Sequence, residues 1–340
     1  MKILLIGGTG TISMEVSRQL LAQGHTLYLI NRGSNNCTLT GDLVELNSDI
    51  NDEERIAKMI DNLEFDVVAD FIAFEPKHLE RDYRLFCGKT KQFIFISSAS
   101  AYQKPPLDYF ISEKTPLGNP YSEYAQNKIA CEEYLSRLYN EENFPVTIIR
   151  PSHTYDKRSV PLGVLGNNGS YCVIKRMLEH KPVIIHGDGS SLWTLTYTSD
   201  FAKGFVGLVG NSSAIGETIQ ITSDEAVTWN RIYQIVADAL GVPLNAIHVS
   251  SEFLDICSDY DYRASMIGDK SNTVVFNNAK LKQLVPGFHA DISIEKGIKT
   301  AVDYVMSHPE CQIEDPEFDH WCDKIVETMN IAIKTYKTLN

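Results

Sequence analysis

The stretch Lys2-Ile3-Leu4-Leu5-Ile6-Gly7-Gly8-Thr9-Gly10-Thr11-Ile12-Ser13 decides the fold. A short apolar run leads into a glycine turn. Apolar positions Ile12, Val16, Leu20 and Leu21 then recur at helical spacing until Gly24 closes the pattern. Strand, tight turn and helix are therefore expected in that order. Such a turn brings backbone N–H groups and the positive end of a helix to one place, which suits a pyrophosphate. Gly7 and Gly10 carry no Cβ, so the chain can turn and a diphosphate can approach closely. The third small position is Ser13, where the usual pattern has Gly or Ala; a small residue still lets the helix pack on the strand. A plain β-turn-α unit without a ligand has the same local pattern, and only the alternation of the rest of the chain favours a dinucleotide site.

Beyond this unit the chain alternates. His25–Ile30, Leu43–Leu46, Asp66–Phe71, Gln92–Ser97 and Val146–Ile149 read as strands, and Glu53–Leu63, Glu75–Phe86 and Tyr121–Tyr139 as helices. Continuous apolar strands between helices mean a parallel sheet covered on both faces. Right-handed crossovers make it an α/β fold of the Rossmann type, a doubly wound parallel sheet. After Arg150-Pro151 the pattern loosens through Gly163, Gly166 and Gly169. Pro182–Ile185 and Thr218–Thr222 look like strands, and Ser199–Val209, Trp229–Leu240 and Asp319–Tyr336 like helices. The expectation is a dinucleotide-binding domain over residues 1–155 and a smaller C-terminal substrate lobe over 156–340. Segments near 199–222 are expected to return to the first domain.

Composition narrows the function. Of 340 residues, 43% are hydrophobic and 22% charged, which is ordinary globular usage. Lys and Arg number 31 against 44 Asp and Glu, a net charge of −13 that repels phosphate backbones, so no nucleic-acid partner is expected. No run of eighteen apolar residues exists, and the apolar stretch after Lys2 is too short for a signal-peptide core, so no membrane partner is expected. Seven cysteines, an odd number without a CxxC pair, fit a reducing cytoplasm. The sequons at Asn36, Asn168 and Asn211 read as chance.

The second strand ends in Asn31-Arg32-Gly33-Ser34. A carboxylate there would take the ribose hydroxyls of NAD. None is present, and Arg32 offers a planar fork for a 2′-phosphate, so NADP is expected, with NAD as the alternative. A merely surface-capping Arg32 is the rival. Asp49 and Ile50 lie after the third strand, where adenine often rests. Tyr124 and Lys128 stand four apart in a helix and so share a face. A nearby ammonium favours phenolate, which lets a tyrosine pass a proton near neutral pH. Ser98 ends a strand at the carboxyl edge of the sheet, where its hydroxyl can bond a reacting oxygen. Tyr121 and Tyr134 have no lysine four residues on.

With these pieces in order, the chain resembles the extended short-chain dehydrogenase/reductases of the NAD-dependent epimerase/dehydratase type. The resemblance rests on Gly7-Gly8-Thr9-Gly10-Thr11-Ile12, Phe95-Ile96-Ser97-Ser98-Ala99-Ser100-Ala101-Tyr102, Tyr124-Ala125-Gln126-Asn127-Lys128, Ile149-Arg150-Pro151 and Gly187-Asp188-Gly189. It covers the chain to about Phe288. It implies Ser98, Tyr124 and Lys128 as the catalytic trio. It also implies a dinucleotide held along Gly7, Thr9, Gly10, Thr11, Ile12, Asn31, Arg32, Asp49, Ile50, Phe71, Ile72, Ala73, Ser97, Tyr124, Lys128, Pro151 and His153. A homodimer through a helix pair is implied as well. The Asn31-Arg32-Gly33 segment is similar to a branch that includes chloroplast stem-loop-binding proteins.

Two departures bear on the substrate. Dehydratases of this kind carry an Asp-Glu pair after the Ser/Thr; this chain has Ala99 and Ser100, so 4,6-dehydration is not expected. Many nucleotide-sugar members carry an arginine where this chain has Trp193, and an indole cannot neutralise a diphosphate. Trp193 either stacks on a sugar or apolar ring or packs between lobes. Ser100, Tyr102 and Trp193 are the candidate substrate contacts. His153 is a second acid/base candidate or a structural loop histidine. No cluster has metal-ligand spacing. Asp200 is expected to cap a helix, and Glu310–Asp319 to be solvated surface. Tyr260-Asp261-Tyr262-Arg263 could line a polar pocket. The expected activity is hydride transfer on a hydroxyl or ketone of a carbohydrate-like small molecule. The rivals are a simple carbonyl reductase and a non-catalytic dinucleotide-sensing or RNA-associated protein.

Overall fold

The structure, a computed structural model, describes residues 1–32 and 39–339. Gly33, Ser34, Asn36 and Cys37 lie outside the described residues. The chain divides into two compact units. The first comprises Met1–Thr154, Thr194–Asp224 and Phe276–Asp291; the second comprises Tyr155–Trp193, Glu225–Val275 and Ile292–Asn340.

The first unit is built on β1 (Lys2–Ile6), α1 (Thr11–Ala22), β2 (Thr26–Asn31), β3 (Leu43–Asn47), α2 (Glu53–Met59), β4 (Val67–Asp70), α3 (Pro76–Phe86), β5 (Phe93–Ile96), α4 (Glu123–Glu142), β6 (Val146–Pro151), α5 (Thr198–Leu208) and β7 (Thr218–Ile221). The seven strands form one parallel sheet in the order β7-β6-β5-β4-β1-β2-β3. This is the expected α/β doubly wound sheet of Rossmann type, with its order reversing between β1 and β4. Alternate side chains explain the continuous apolar strands. Ile3 and Leu5 face a core with Val16 and Leu20 of α1 and Phe201 and Phe205 of α5. Leu4 and Ile6 face the other core, with Leu79 and Phe86 of α3 and Leu135 of α4.

Several boundaries differ from expectation for local reasons. Helix α2, capped by Asp52, stops at Met59 instead of Leu63: Ile60, though buried, takes the C-cap position with a backbone outside the helical range. Tyr121 precedes α4, which is capped by the Ser122 side chain. The N-cap position of α5 is Tyr197; Asp200 lies in the first turn and pairs with Lys203 at 2.9 Å. Residues 276–291 join the first unit, because Asn277 and Asn278 bond β7 and the residue after it. Gln220 Nε2 donates to the Asn277 carbonyl at 2.7 Å, and Asn278 Nδ2 to the Thr222 carbonyl at 3.0 Å.

In the second unit, strands Val183–His186 and Ala246–Val249 pair in parallel beside helices Tyr171–Leu178, Trp229–Leu240, Ile294–Ser307 and Pro316–Thr338. The acidic stretch Glu310–Asp319 is not simply solvated. Asp315 is buried and caps the last helix through the Phe318 N–H, while Asp319 pairs with Arg176 and Lys181. Tyr262 is buried among Tyr260 and Trp321, and Tyr260 lines an open groove. The six described cysteines are free thiols. Among the described residues, no helix is long and apolar enough to cross a membrane.

A buried ionic network bolts the sheet to α4. Glu132 accepts from Ser97 Oγ at 2.5 Å, Arg150 Nε at 2.9 Å and Arg150 Nη2 at 2.5 Å. The guanidinium lies 4.7 Å from the Tyr102 ring centre, and Tyr102 O–H donates to Gln220 Oε1 at 2.8 Å. The residue after β5 thus meets α4, β6 and β7 in one polar cluster. Removing one partner strands the other charge. Glu132→Ala is expected to lower the unfolding free energy by about 3–5 kcal/mol; a urea curve overlying that of the unaltered protein would contradict this.

Candidate active site at the crest of the sheet

The glycine turn after β1 is fixed by its backbone. Gly7 sits at φ +78°, and a Cβ there would come within 2.4 Å of Ile72 Cγ2, so both conformation and space require glycine. Ser13, the departure from the usual pattern, braces the turn. Its O–H donates to the Gly7 carbonyl at 2.6 Å, and its oxygen accepts from the Gly10 N–H at 2.9 Å. Ser17 does the same for the Gly8 carbonyl at 2.8 Å. Gly10 caps α1 and is exposed; a Cβ there would meet nothing nearer than Ser13 Oγ at 3.4 Å. The outer face of the loop is therefore open at a helix N-terminus, with Thr11 exposed and Thr9 and Ile12 half-buried beside it. These residues fit a pyrophosphate.

On the β2–β3 side, Asn31 ends β2 half-buried, and Arg32 and Asp49 are exposed. Ile50 is buried in the core, so its side chain serves packing. After β4, Phe71 packs on Phe205 with ring centres 5.3 Å apart, Ala73 is buried, and Ile72 and Phe74 are exposed. Asp70 organises this segment, its Oδ1 accepting from the Ile72 and Ala73 N–H groups at 2.5 and 2.8 Å.

Helix α4 carries the expected pair Tyr124 and Lys128. Tyr124 is 45% exposed, whereas Lys128, one turn deeper, is 1% exposed. The Lys128 ammonium donates to the carbonyls of Ala73 and Ile96 at 2.7 Å each, and lies 5.6 Å from the Tyr124 ring centre. Burial pushes the lysine down to about 8, against the pull of Cys131, Asp70 and Glu132. An ammonium has three N–H groups, so two bonds leave one for a ligand. At the end of β5, Ser98 Oγ accepts from the Ser100 N–H at 3.1 Å and the Ser100 hydroxyl at 2.8 Å. Both lone pairs are then occupied, and the Ser98 O–H remains as a donor.

Other expected site residues sit elsewhere. Ser97 turns its hydroxyl to Glu132, and Tyr102 is buried over Arg150. Pro151 is buried at the end of β6 and His153 is half-buried just beyond it. Trp193, in the second unit, is 4% exposed and tilted against Trp229 with ring centres 5.5 Å apart. Sequence reading misses Asp70, Glu132 and Arg150. One signal for Glu132 is available: it lies four residues beyond Lys128 on the same helical face.

The depressed lysine has a sign that can be checked. Between pH 8 and about 10.4 the unfolded chain keeps a proton that folded Lys128 has lost, so stability conferred by this position rises with pH. Unfolding midpoints of the unaltered protein are expected to gain on those of Lys128→Met from pH 7 to 10. Parallel curves would show that the amine titrates normally.

Relatives agree with this architecture. The profile of the NAD dependent epimerase/dehydratase family matches residues 3–85 and 85–222. The 2′-dehydrokanamycin reductase of Streptomyces kanamyceticus is 23% identical over 253 residues, 74% of this chain and 70% of that protein. The 41 kDa chloroplast stem-loop binding protein b of Arabidopsis thaliana is 26% identical over 71% of this chain, and the match spans 64% of its length. The UDP-glucuronic acid 4-epimerase of Bacillus cereus, solved with UDP-glucuronic acid and NAD, superposes with a TM-score of 0.70 at 20% identity, covering 90% of this chain and 99% of that one. The chain belongs to the NAD dependent epimerase/dehydratase family.

Proposed function

We propose that the chain is an NADP(H)-linked oxidoreductase or epimerase acting on a hydroxyl or ketone of a carbohydrate-like small molecule. One observation carries this reading: Ser98, with both lone pairs taken by Ser100, can only donate, two residues beyond the Ile96 carbonyl that holds Lys128. Ser98 O–H bonds the reacting oxygen and polarises it. Tyr124 gives that oxygen its proton in reduction and removes it in oxidation. Lys128 favours the phenolate and holds a ribose hydroxyl with its remaining N–H. What a bound dinucleotide would supply there is hydride exchange with the substrate carbon. The loop Gly7–Ile12 would hold the pyrophosphate, Arg32 the 2′-phosphate, and the segment Phe71–Ala73 with Pro151 and His153 the nicotinamide end. Pairing of two subunits through helices belongs to the same reading.

Tyr124→Phe is expected to lower kcat about 10²–10⁴-fold while NADPH affinity stays near that of the unaltered protein; undiminished turnover would sink the mechanism. Arg32→Ala is expected to raise KM for NADPH far more than for NADH, and equal effects would remove the NADP assignment. The reductase among the relatives favours a second reading, net carbonyl reduction. Stoichiometric NADPH consumption by the purified protein separates it from epimerisation, in which the hydride returns to the same substrate. A stem-loop-binding role, suggested by another relative, runs against the charge of −13. Salt-dependent RNA retention with full activity in Tyr124→Phe would reverse that judgement.

A further inference from the structure

Beneath the segment after β4, three charged side chains are closed off from water. Asp70 and Asp82 are fully buried and Arg81 is 4% exposed. Arg81 uses all three nitrogens: Nε donates to Asp82 Oδ1 at 2.9 Å, Nη1 to Asn51 Oδ1 at 2.9 Å, and Nη2 to Asp70 Oδ2 at 3.2 Å. Two carboxyls therefore share one guanidinium. Asp82 Oδ2 meets no N–H or O–H donor among the described residues, and the Asp70 carboxyl is in contact with the same guanidinium. Two ionised carboxylates in that contact repel and have no proton with which to bond. A single proton placed between them removes both defects.

We propose that Asp82 is a positioning residue, a neutral acid that donates to Asp70 and so fixes the crest segment on which Lys128 and the dinucleotide depend. The part concerning the dinucleotide rests on the proposed function; the part concerning the proton does not. Asp70 holds the Ile72 and Ala73 N–H groups, and the Ala73 carbonyl holds Lys128. Arg81 extends the same cluster to Asn51, beside Asp49 and Ile50. One buried unit thereby sets both the β4 crest and the β3 end of the site.

The groups facing Asp82 are Asp70 on β4, Arg81 on its own helix and Tyr134 on α4; His78, Lys128 and Cys131 face the same cluster through Asp70. Burial first, then the Asp70 charge, raises the Asp82 carboxyl, and Arg81 opposes them. An acid raised on folding keeps a proton that the unfolded chain has released. Its penalty is absent in acid and grows as pH climbs past the ordinary carboxylate range.

The test compares Asp82→Asn and Asp82→Ala in the full chain. Fluorescence titration with NADPH and NADH is one readout, and thermal unfolding without dinucleotide from pH 5 to 9 is the other. An asparagine amide still donates to Asp70 and accepts from Arg81. Asp82→Asn is expected to bind NADPH within about twofold of the unaltered protein and to melt at or above it, by a margin that widens with pH. Asp82→Ala, which leaves buried partners unpaired, is expected to bind about tenfold more weakly or worse and to melt lower. An asparagine variant that melts as low as the alanine variant would show Asp82 ionised and overturn the proposal. Unchanged NADPH binding in both variants would overturn its positioning role. If the unaltered protein bound neither dinucleotide, the proposed function would fail, and the melting series would still decide where the proton lies.

Discussion

A parallel sheet buried on both faces leaves its unpaired backbone groups at the strand ends, and those groups must find partners there. Beside the ends of β4 and β5, the Ala73 and Ile96 carbonyls find the same one, the Lys128 ammonium. Holding a cation with 1% exposure is costly, and burial accordingly lowers the titration of the amine. The return is geometric: the amine ties together the ends of two neighbouring strands, β4 and β5, and fixes the turn of α4 from which Tyr124 projects.

The same helix repeats the device at depth. Tyr124, Lys128 and Glu132 are spaced by four and lie along one face of α4. Tyr124 is open, Lys128 bonds backbone carbonyls, and Glu132 binds Ser97 and Arg150. The face therefore grades from an exposed phenol to a buried ion pair. The Asp70–Arg81–Asp82 cluster supports the crest from α3, and Glu132–Arg150 supports it from β6. Both clusters brace the crest from below, as suits a site whose reacting atoms must be held in register.

This arrangement explains how much of the molecule is legible in the sequence. Strands and helices of the first unit are legible because burial on both faces writes itself as uninterrupted apolar runs. Tyr124, Lys128 and the glycine turn are legible because their spacing is local. Ser13 reads as a tolerated departure, yet its hydroxyl staples Gly7 to Gly10; a hydroxyl's bonding direction leaves no periodic trace. Arg81 and Asn51 are thirty residues apart and Arg150 and Glu132 eighteen apart, so neither pair has a signature in one chain. Asp315 looks like surface because an acidic neighbourhood hides a cap, and α2 looks longer because Ile60 and Leu63 continue its apolar spacing after the chain has turned.

The strand end after β5 connects structure to type of reaction. Dehydration needs an acid and a base beyond the hydride step, which the Asp-Glu pair supplies in dehydratases that the chain otherwise resembles. Here Ala99 is buried and Ser100 directs both its N–H and its hydroxyl at Ser98. Neither offers a carboxyl that could act as acid or base at neutral pH; Ser100 instead fixes the direction of the Ser98 hydroxyl. On the proposed reading, a donor held in this way stabilises negative charge developing on a single oxygen, and the Tyr124 phenol supplies a single proton. That inventory matches interconversion of a hydroxyl and a ketone, and it is short of what removing water from a sugar ring requires.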